Sequence, residues 1–380
     1  MKPLFKLLGS LLLGACIGLA VIIPVLALIN GESIADVART VFDNNIPKFL
    51  GETLLLLAFV AVAFFLQIII HEGGHLVAGL LTGYRFVSFR FMNYTLIRRD
   101  GRLQWRNFEL SGTGGQCLMS PPDKAQEQID TRWYNAGGVL ANIITALIAL
   151  LLIWAFDLPS WLNQFLAMMA IIGFAFALLN GIPMKVGGVA NDGCNLFQLE
   201  KDLTTKKCFC DILEVNARVQ EGELYNDMPE RLFALPQPID WDNSMHVGAV
   251  FVAATRMMSQ YKWEDAYQLL AEAIDNKDKM MKYYQLELEC MMTLACIATK
   301  RDEEARQHYS DELAKHVTHH ASTQSDKQLV AMATALALDG DRARAGQILR
   351  QLEADRDKYI HQGDVATSLD VMRWLLEQRQ

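Results

Sequence analysis

The chain is poor in the features that mark several common protein classes. It has seven cysteines in 380 residues, an odd count, and Cys208-Phe209-Cys210 has no second ligand pair to complete a zinc knuckle. The cysteines therefore read as reduced thiols, with neither a disulfide framework nor a structural zinc. Positive charge is not in excess, since 35 Lys and Arg stand against 43 Asp and Glu for a net charge of −8. A basic nucleic-acid binder is excluded on that ground, and no nucleic-acid partner is expected. Charge of either sign is scarce in the front half: residues 1–199 hold 13 Lys and Arg and 12 Asp and Glu, leaving 22 and 31 for residues 200–380. The halves thus carry about +1 and −9, and only the back half has an ordinary soluble composition.

Long apolar runs fill the front half instead. Leu7–Ile29 carries no charge and follows Lys2 and Lys6; it exceeds a signal-peptide core of about 7–15 residues and reads as a spanning anchor. Thr53–Ile70 is interrupted by one amide, Gln67, and its helix would rise about 27 Å, close to the hydrocarbon thickness. Val139–Phe156 and Phe165–Leu179, the latter extended by Trp161 and Pro183, make four expected spans. Eight Lys or Arg lie between Tyr84 and Asn135, and none lies between the third and fourth spans. Positive loops face the cytoplasm, so both termini and the acidic tail are expected there, in a multi-pass protein of a bacterial cytoplasmic membrane.

His71-Glu72-Gly73-Gly74-His75 stands at the end of the second run. On a helix, positions four apart share a face, so both imidazoles reach one ion while Glu72 turns toward its open coordination position. Zinc suits this set: it lowers the pKa of its water to about 7, and an adjacent carboxylate acts as general base. Random placement of the chain's His and Glu would yield the pattern about 0.01 times per chain. Its place in a hydrocarbon-depth segment argues further for function, because unpaired charge there is costly. Two histidines leave the site one protein ligand short. Asp192 is the candidate third ligand, just beyond a helix end broken by Pro183 and among Gly187, Gly188 and Gly193.

With these blocks the chain resembles the site-2 protease family of intramembrane zinc metalloproteases. That family pairs a His-Glu-x-x-His helix with a later segment carrying Asn, Pro and Asp-Gly, matched here by Asn180, Pro183, Asp192 and Gly193. The resemblance implies His71, His75 and Asp192 as zinc ligands, Glu72 as general base and Asn180 as a polar residue lining the site. Gly137-Gly138 with Asn142 is similar to the family's Gly-Pro-x-x-Asn segment, with Gly138 where Pro is usual and Asn142 as a further lining residue. Asn191 precedes the Asp where Leu is common, and the spacing from Pro183 to Asp192 is longer than in many members. The likeness covers about residues 50–200. It implies hydrolysis of a peptide bond in or near the transmembrane segment of a membrane-embedded protein or peptide.

In the middle loop, Phe86–Ile97 reads as one strand of a hairpin that turns at Asp100-Gly101 and returns through Leu103, Trp105 and Phe108. Gly112–Asp123, with Gly114-Gly115 and Ser120-Pro121-Pro122, reads as a loop placed to act as a gate. The expected domains are a membrane-embedded metalloprotease at 1–199, a connecting segment and linker at 200–243, and a soluble helical domain at 244–380. In that tail, Ala266, Ala305 and Ala345 head three similar segments 39 and 40 residues apart, which resembles tetratricopeptide-like hairpins. Such hairpins present a surface for a cytosolic protein partner. His316, His319 and His320 read as exposed helix-end histidines. The fold class expected is therefore mostly α, a polytopic membrane domain with a β-hairpin followed by helical repeats. The competing function is a non-catalytic membrane adaptor whose tail binds proteins.

Overall fold

A computed structural model describes Pro24, Ala27, Gly31 and residues 33–43, 46–99, 102–108, 114–186 and 189–379. The first expected span, apart from Pro24 and Ala27, lies outside the described residues, as do Asp100-Gly101 and Gly187-Gly188. The described chain is mostly helical, with fourteen α-helices and a small antiparallel sheet.

After α1 (Ile34–Asp43), the chain forms α2 (Ile46–Leu81), a helix of 36 residues. Two further long helices follow the sheet, α3 (Arg132–Ala155) and α4 (Ser160–Gly181). Pro159 precedes α4, and at its other end Ile182 is extended, at φ −76° and ψ 122°. The ring of Pro183 disfavours helical geometry in the residue before it, which is why α4 stops there. The three helices meet through small residues, Ala63, Ala146, Ala149 and Ala170 around Met169. Where α2 crosses α3, Gly74 lies directly on the backbone of Gly137, and a methyl group on either would overlap the other's carbonyl. Their bulky side chains point outward: Leu54 is 65% exposed, Ile144 54% and Trp154 83%. All three helices are long and apolar enough to cross a membrane. An apolar surface of this extent needs a cover of lipid or protein.

The sheet contains β1 (Arg85–Phe91), β2 (Tyr94–Arg99), β3 (Arg102–Asn107) and β4 (Gly115–Ser120), in the order β3-β2-β1-β4. Two sequence expectations need correction here. The stretch 86–97 is not one strand but two, folded back at Met92 and Asn93, with Met92 in the left-handed region at φ 53° and Phe91 paired to Tyr94. A Met-Asn turn carries no glycine, so alternation of apolar residues runs through it in sequence. The stretch expected as a loop contains β4, which pairs with β1 from Arg85 against Ser120 to Phe91 against Gly115. Its flanking Gly and Pro residues mark the ends of a short buried strand, since Cys117, Leu118, Met119 and Ser120 are all buried.

Short helix α5 (Asp192–Gln198) leads to α6 (Leu203–Glu221). Asp202 caps α6 by accepting from the Thr204 and Thr205 amides, and Gly222 ends it at φ 97°. Helix α6 lies across the sheet, where Ala217 packs on Val87 and Leu118 and Ser88 donates to Gln220 at 3.1 Å. The Pro-containing stretch from Met228 to Asn243 is anchored by buried Met228, Leu232 and Trp241.

The tail comprises α7 (Ser244–Ser259), α8 (Trp263–Asp275), α9 (Lys282–Ala298), α10 (Asp302–His308), α11 (Asp311–His320), α12 (Ser325–Ala337), α13 (Arg342–Asp355) and α14 (Gln362–Gln378). The turns α7–α8, α9–α10 and α12–α13 each hold one left-handed residue, Tyr261 (φ 57°), Lys300 (φ 62°) and Gly340 (φ 68°). Ala266, Ala305 and Ala345 lie one turn into the second helices and are each 0% exposed. A larger side chain at these places would push apart the helix pair that the turn brings together.

Candidate metal centre

Residues 71 and 75 sit one helical turn apart on α2, and α5 carries Asp192 up to them. Asp192 Oδ2 lies 3.0 Å from His71 Nε2 and 3.3 Å from His75 Nε2, and the two Nε2 atoms are 3.2 Å apart. A divalent ion bound at about 2.0–2.2 Å from nitrogen and oxygen separates tetrahedral ligand atoms by about 3.3 Å. The three atoms therefore fit a metal ion, and both histidines are more than nine-tenths buried, at 7% and 8% exposure.

The opposite side of each imidazole is held. His71 Nδ1 is 2.7 Å from Asn142 Oδ1, and His75 Nδ1 is 2.7 Å from the Tyr134 carbonyl. Both partners are acceptors, so each ring donates its Nδ1–H and keeps a lone pair on Nε2, facing the ion position. Asn142 is itself fixed, because its amide donates to the Gln67 carbonyl at 3.0 Å and to Gln67 Oε1 at 2.6 Å. Gln67 in turn donates to the Met169 carbonyl at 2.9 Å, so all three long helices join one polar chain. Neither Gln67 nor Asn142 is exposed. The one amide in an apolar run was the available sign of Gln67's role; nothing in sequence marks the Tyr134 carbonyl.

Asp192 depends on the residue before it. The Asn191 side chain donates to the Leu179 and Ile182 carbonyls at 2.9 and 2.7 Å and accepts from the Met184 and Cys194 amides at 3.1 and 3.0 Å. It ties the end of α4 to the start of α5.

Glu72 stands beside this trio without joining it. Its carboxylate packs against Gly115 of β4, where a Cβ would come within 2.8 Å of Glu72 Oε1. It lines a cavity of about 770 Å³ with His71, His75, Phe176, Asn180 and Asp192. Asn180 is thus at the cavity wall, with its amide donating to the Phe176 carbonyl at 3.0 Å. Asn142, expected from sequence to line the site, is instead fully buried behind His71, and two more of the sequence-derived residues stand outside the lining: Pro183 is exposed at the end of α4, and Gly193 is buried against the backbone of Gly181 and Ile182. Pro183 and Gly193 shape the approach of α5 to α4 and touch no ligand atom of the trio.

Gly138 has a sharper role. A Cβ there would lie 2.6 Å from His71 Cε1 and from His75 Nε2, inside van der Waals contact with both rings. Gly138→Ala is expected to weaken metal binding about 10–100-fold, the range seen when ligand orientation is disturbed. Competition with a chromophoric chelator measures it, and unchanged affinity would show that the rings need not keep these positions. Scans against protein-family models, curated proteins and solved structures each return no match.

Proposed function

We propose that the chain is an intramembrane zinc metallopeptidase of the site-2 protease type. It hydrolyses a peptide bond in or near the membrane segment of a protein or peptide substrate. The observation that carries the reading is the convergence of His71, His75 and Asp192 beside an uncommitted Glu72, at one end of three helices fit to span a bilayer. Zinc bound by this trio would polarise the scissile carbonyl and supply an activated water. Glu72 takes the proton of the attacking water on its carboxylate and returns it to the departing amine. Asn142 and the Tyr134 carbonyl keep the imidazoles in the ligating tautomer throughout. A helical substrate has its amides paired internally, so it must open before reaching Glu72, and helix-weakening residues are expected near the cleaved bond.

The protein is read as multi-pass in a bacterial cytoplasmic membrane, with both termini cytoplasmic and the tetratricopeptide-like tail available to a protein partner. Stripping metal from the reconstituted protein with a chelator is expected to abolish cleavage of a membrane-embedded peptide. Stoichiometric zinc should restore it. Cleavage that persists without metal would overturn the reading, and absence of cleavage with a partner bound at the tail would favour an adaptor.

A further inference from the structure

The tail holds a second cluster of metal-binding groups with different chemistry. Cys296, near the end of α9, is fully buried, and Glu304 and His308 stand four residues apart on α10, hence on one face. One ligand atom from each lies within 4.8 Å of those of the other two. His308 Nδ1 is 2.5 Å from Glu289 Oε2, and the other Glu289 oxygen is 2.5 Å from Lys277 Nζ. A ring that gives its Nδ1–H to a carboxylate keeps its lone pair on Nε2, the arrangement by which outer carboxylates orient metal-binding imidazoles. Tyr267 donates to Glu304 Oε1 at 2.8 Å, fixing that carboxylate and leaving Oε2 for another partner.

The helix that bears two of these groups is unusual in the tail. Helix α10 has 7 residues, whereas the corresponding second helices α8 and α13 have 13 and 14. The central second helix breaks at Tyr309-Ser310, and His308 is the last residue before the break. A helix of about two turns has little stability of its own. A cross-link from its C-terminal end to α9 would hold it in place.

We propose that Cys296, Glu304 and His308 form a second metal site, for a zinc-class divalent ion, that clamps α10 to α9. Thiolate, imidazole and carboxylate together suit zinc and are a poor set for magnesium or calcium, which require oxygen ligands. Water fills the fourth position. On binding, the Cys296 S–H bond breaks, the sulfur pairs with the metal and the proton passes to solvent. This inference stands apart from the protease reading, since neither the ligands nor the helices are shared.

Cobalt(II) titration of the purified, metal-stripped full chain tests it. Sulfur-to-cobalt charge transfer gives a near-ultraviolet band that the His71, His75 and Asp192 trio, having no sulfur, does not produce. The band is expected to saturate at the intensity of one sulfur-bound cobalt per chain in both the wild type, which also fills the trio, and His71→Ala. It should be lost in Cys296→Ala and, separately, in His308→Gln. Far-ultraviolet circular dichroism checks that the helices persist, and His308→Gln, at a partly exposed position, carries the test should Cys296→Ala misfold. Cobalt binding without the band in wild type overturns the proposal, as does a band that survives in folded Cys296→Ala.

Discussion

Glu72→Gln is expected to slow peptide-bond cleavage by about 10²–10⁴-fold, the contribution of a positioned general base, while the trio retains its metal. The two effects separate because Glu72 contributes no atom to the ligand triangle, whose three edges are 3.0, 3.2 and 3.3 Å. Gln has nearly the same shape, so it fits against Gly115 of β4 as Glu72 does. It cannot accept and return a proton. Cleavage of a reconstituted membrane peptide and metal content should therefore be measured on the same preparation. An unchanged rate would remove Glu72 from the chemistry. Loss of both rate and metal would make it a ligand and change the mechanism. Comparing membrane peptide fragments between cells carrying wild type and Glu72→Gln would then identify substrates.

Lys327→Met is expected to destabilise the tail by about 3–5 kcal/mol, the cost of leaving one partner of a buried ion pair behind. Lys327 is 0% exposed, and its Nζ lies 2.6 Å from Glu287 Oε2 and 2.5 Å from Asp326 Oδ2. Glu287, 15% exposed, is also 2.8 Å from His316 Nε2. Burial alone would raise the Glu287 carboxyl, but hydrogen bonds with His316 and Lys327 hold it well below the ordinary range. The sign of the pH dependence follows. A depressed carboxyl contributes stability that is complete above its unfolded value and is lost as pH falls through its folded one. Wild-type stability should thus decline on acidification below about pH 4.5, and Lys327→Met should flatten that decline. Thermal melts followed at the tail transition measure both. Adding Glu287→Leu should recover much of the loss, because a well-packed apolar pair replaces a buried charge without a partner. No recovery would mean that Glu287 is needed for His316 rather than for Lys327.

His316 corrects one reading from sequence. It was expected among exposed helix-end histidines, yet its side chain is 7% exposed and bonded to Glu287. Local pattern registers that a histidine is near a helix end; it does not register what the neighbouring hairpin places against it. The same limit explains β4, whose Gly and Pro neighbours obscured a strand that only β1 completes. It explains Cys296, Glu304 and His308 as well, since their grouping depends on how α10 turns back on α9. Asn191 looked like a departure from a motif, and its four hydrogen bonds explain its presence just before Asp192.

What the amino-acid order alone determined is what local periodicity can carry. The i, i+4 spacing puts His71 and His75 on one helical face, uninterrupted apolar runs make long helices, and Pro183 ends one of them. Each follows from covalent geometry and short-range sterics within one segment. What only the tertiary structure decided is every relation between segments: the crossing at Gly74 and Gly137, the seat of Gly138 under both imidazoles, and the chain of hydrogen bonds from His71 through Asn142 to Gln67. These depend on packing held to within about an ångström between residues 63 to 75 positions apart, and no short window along the chain contains them.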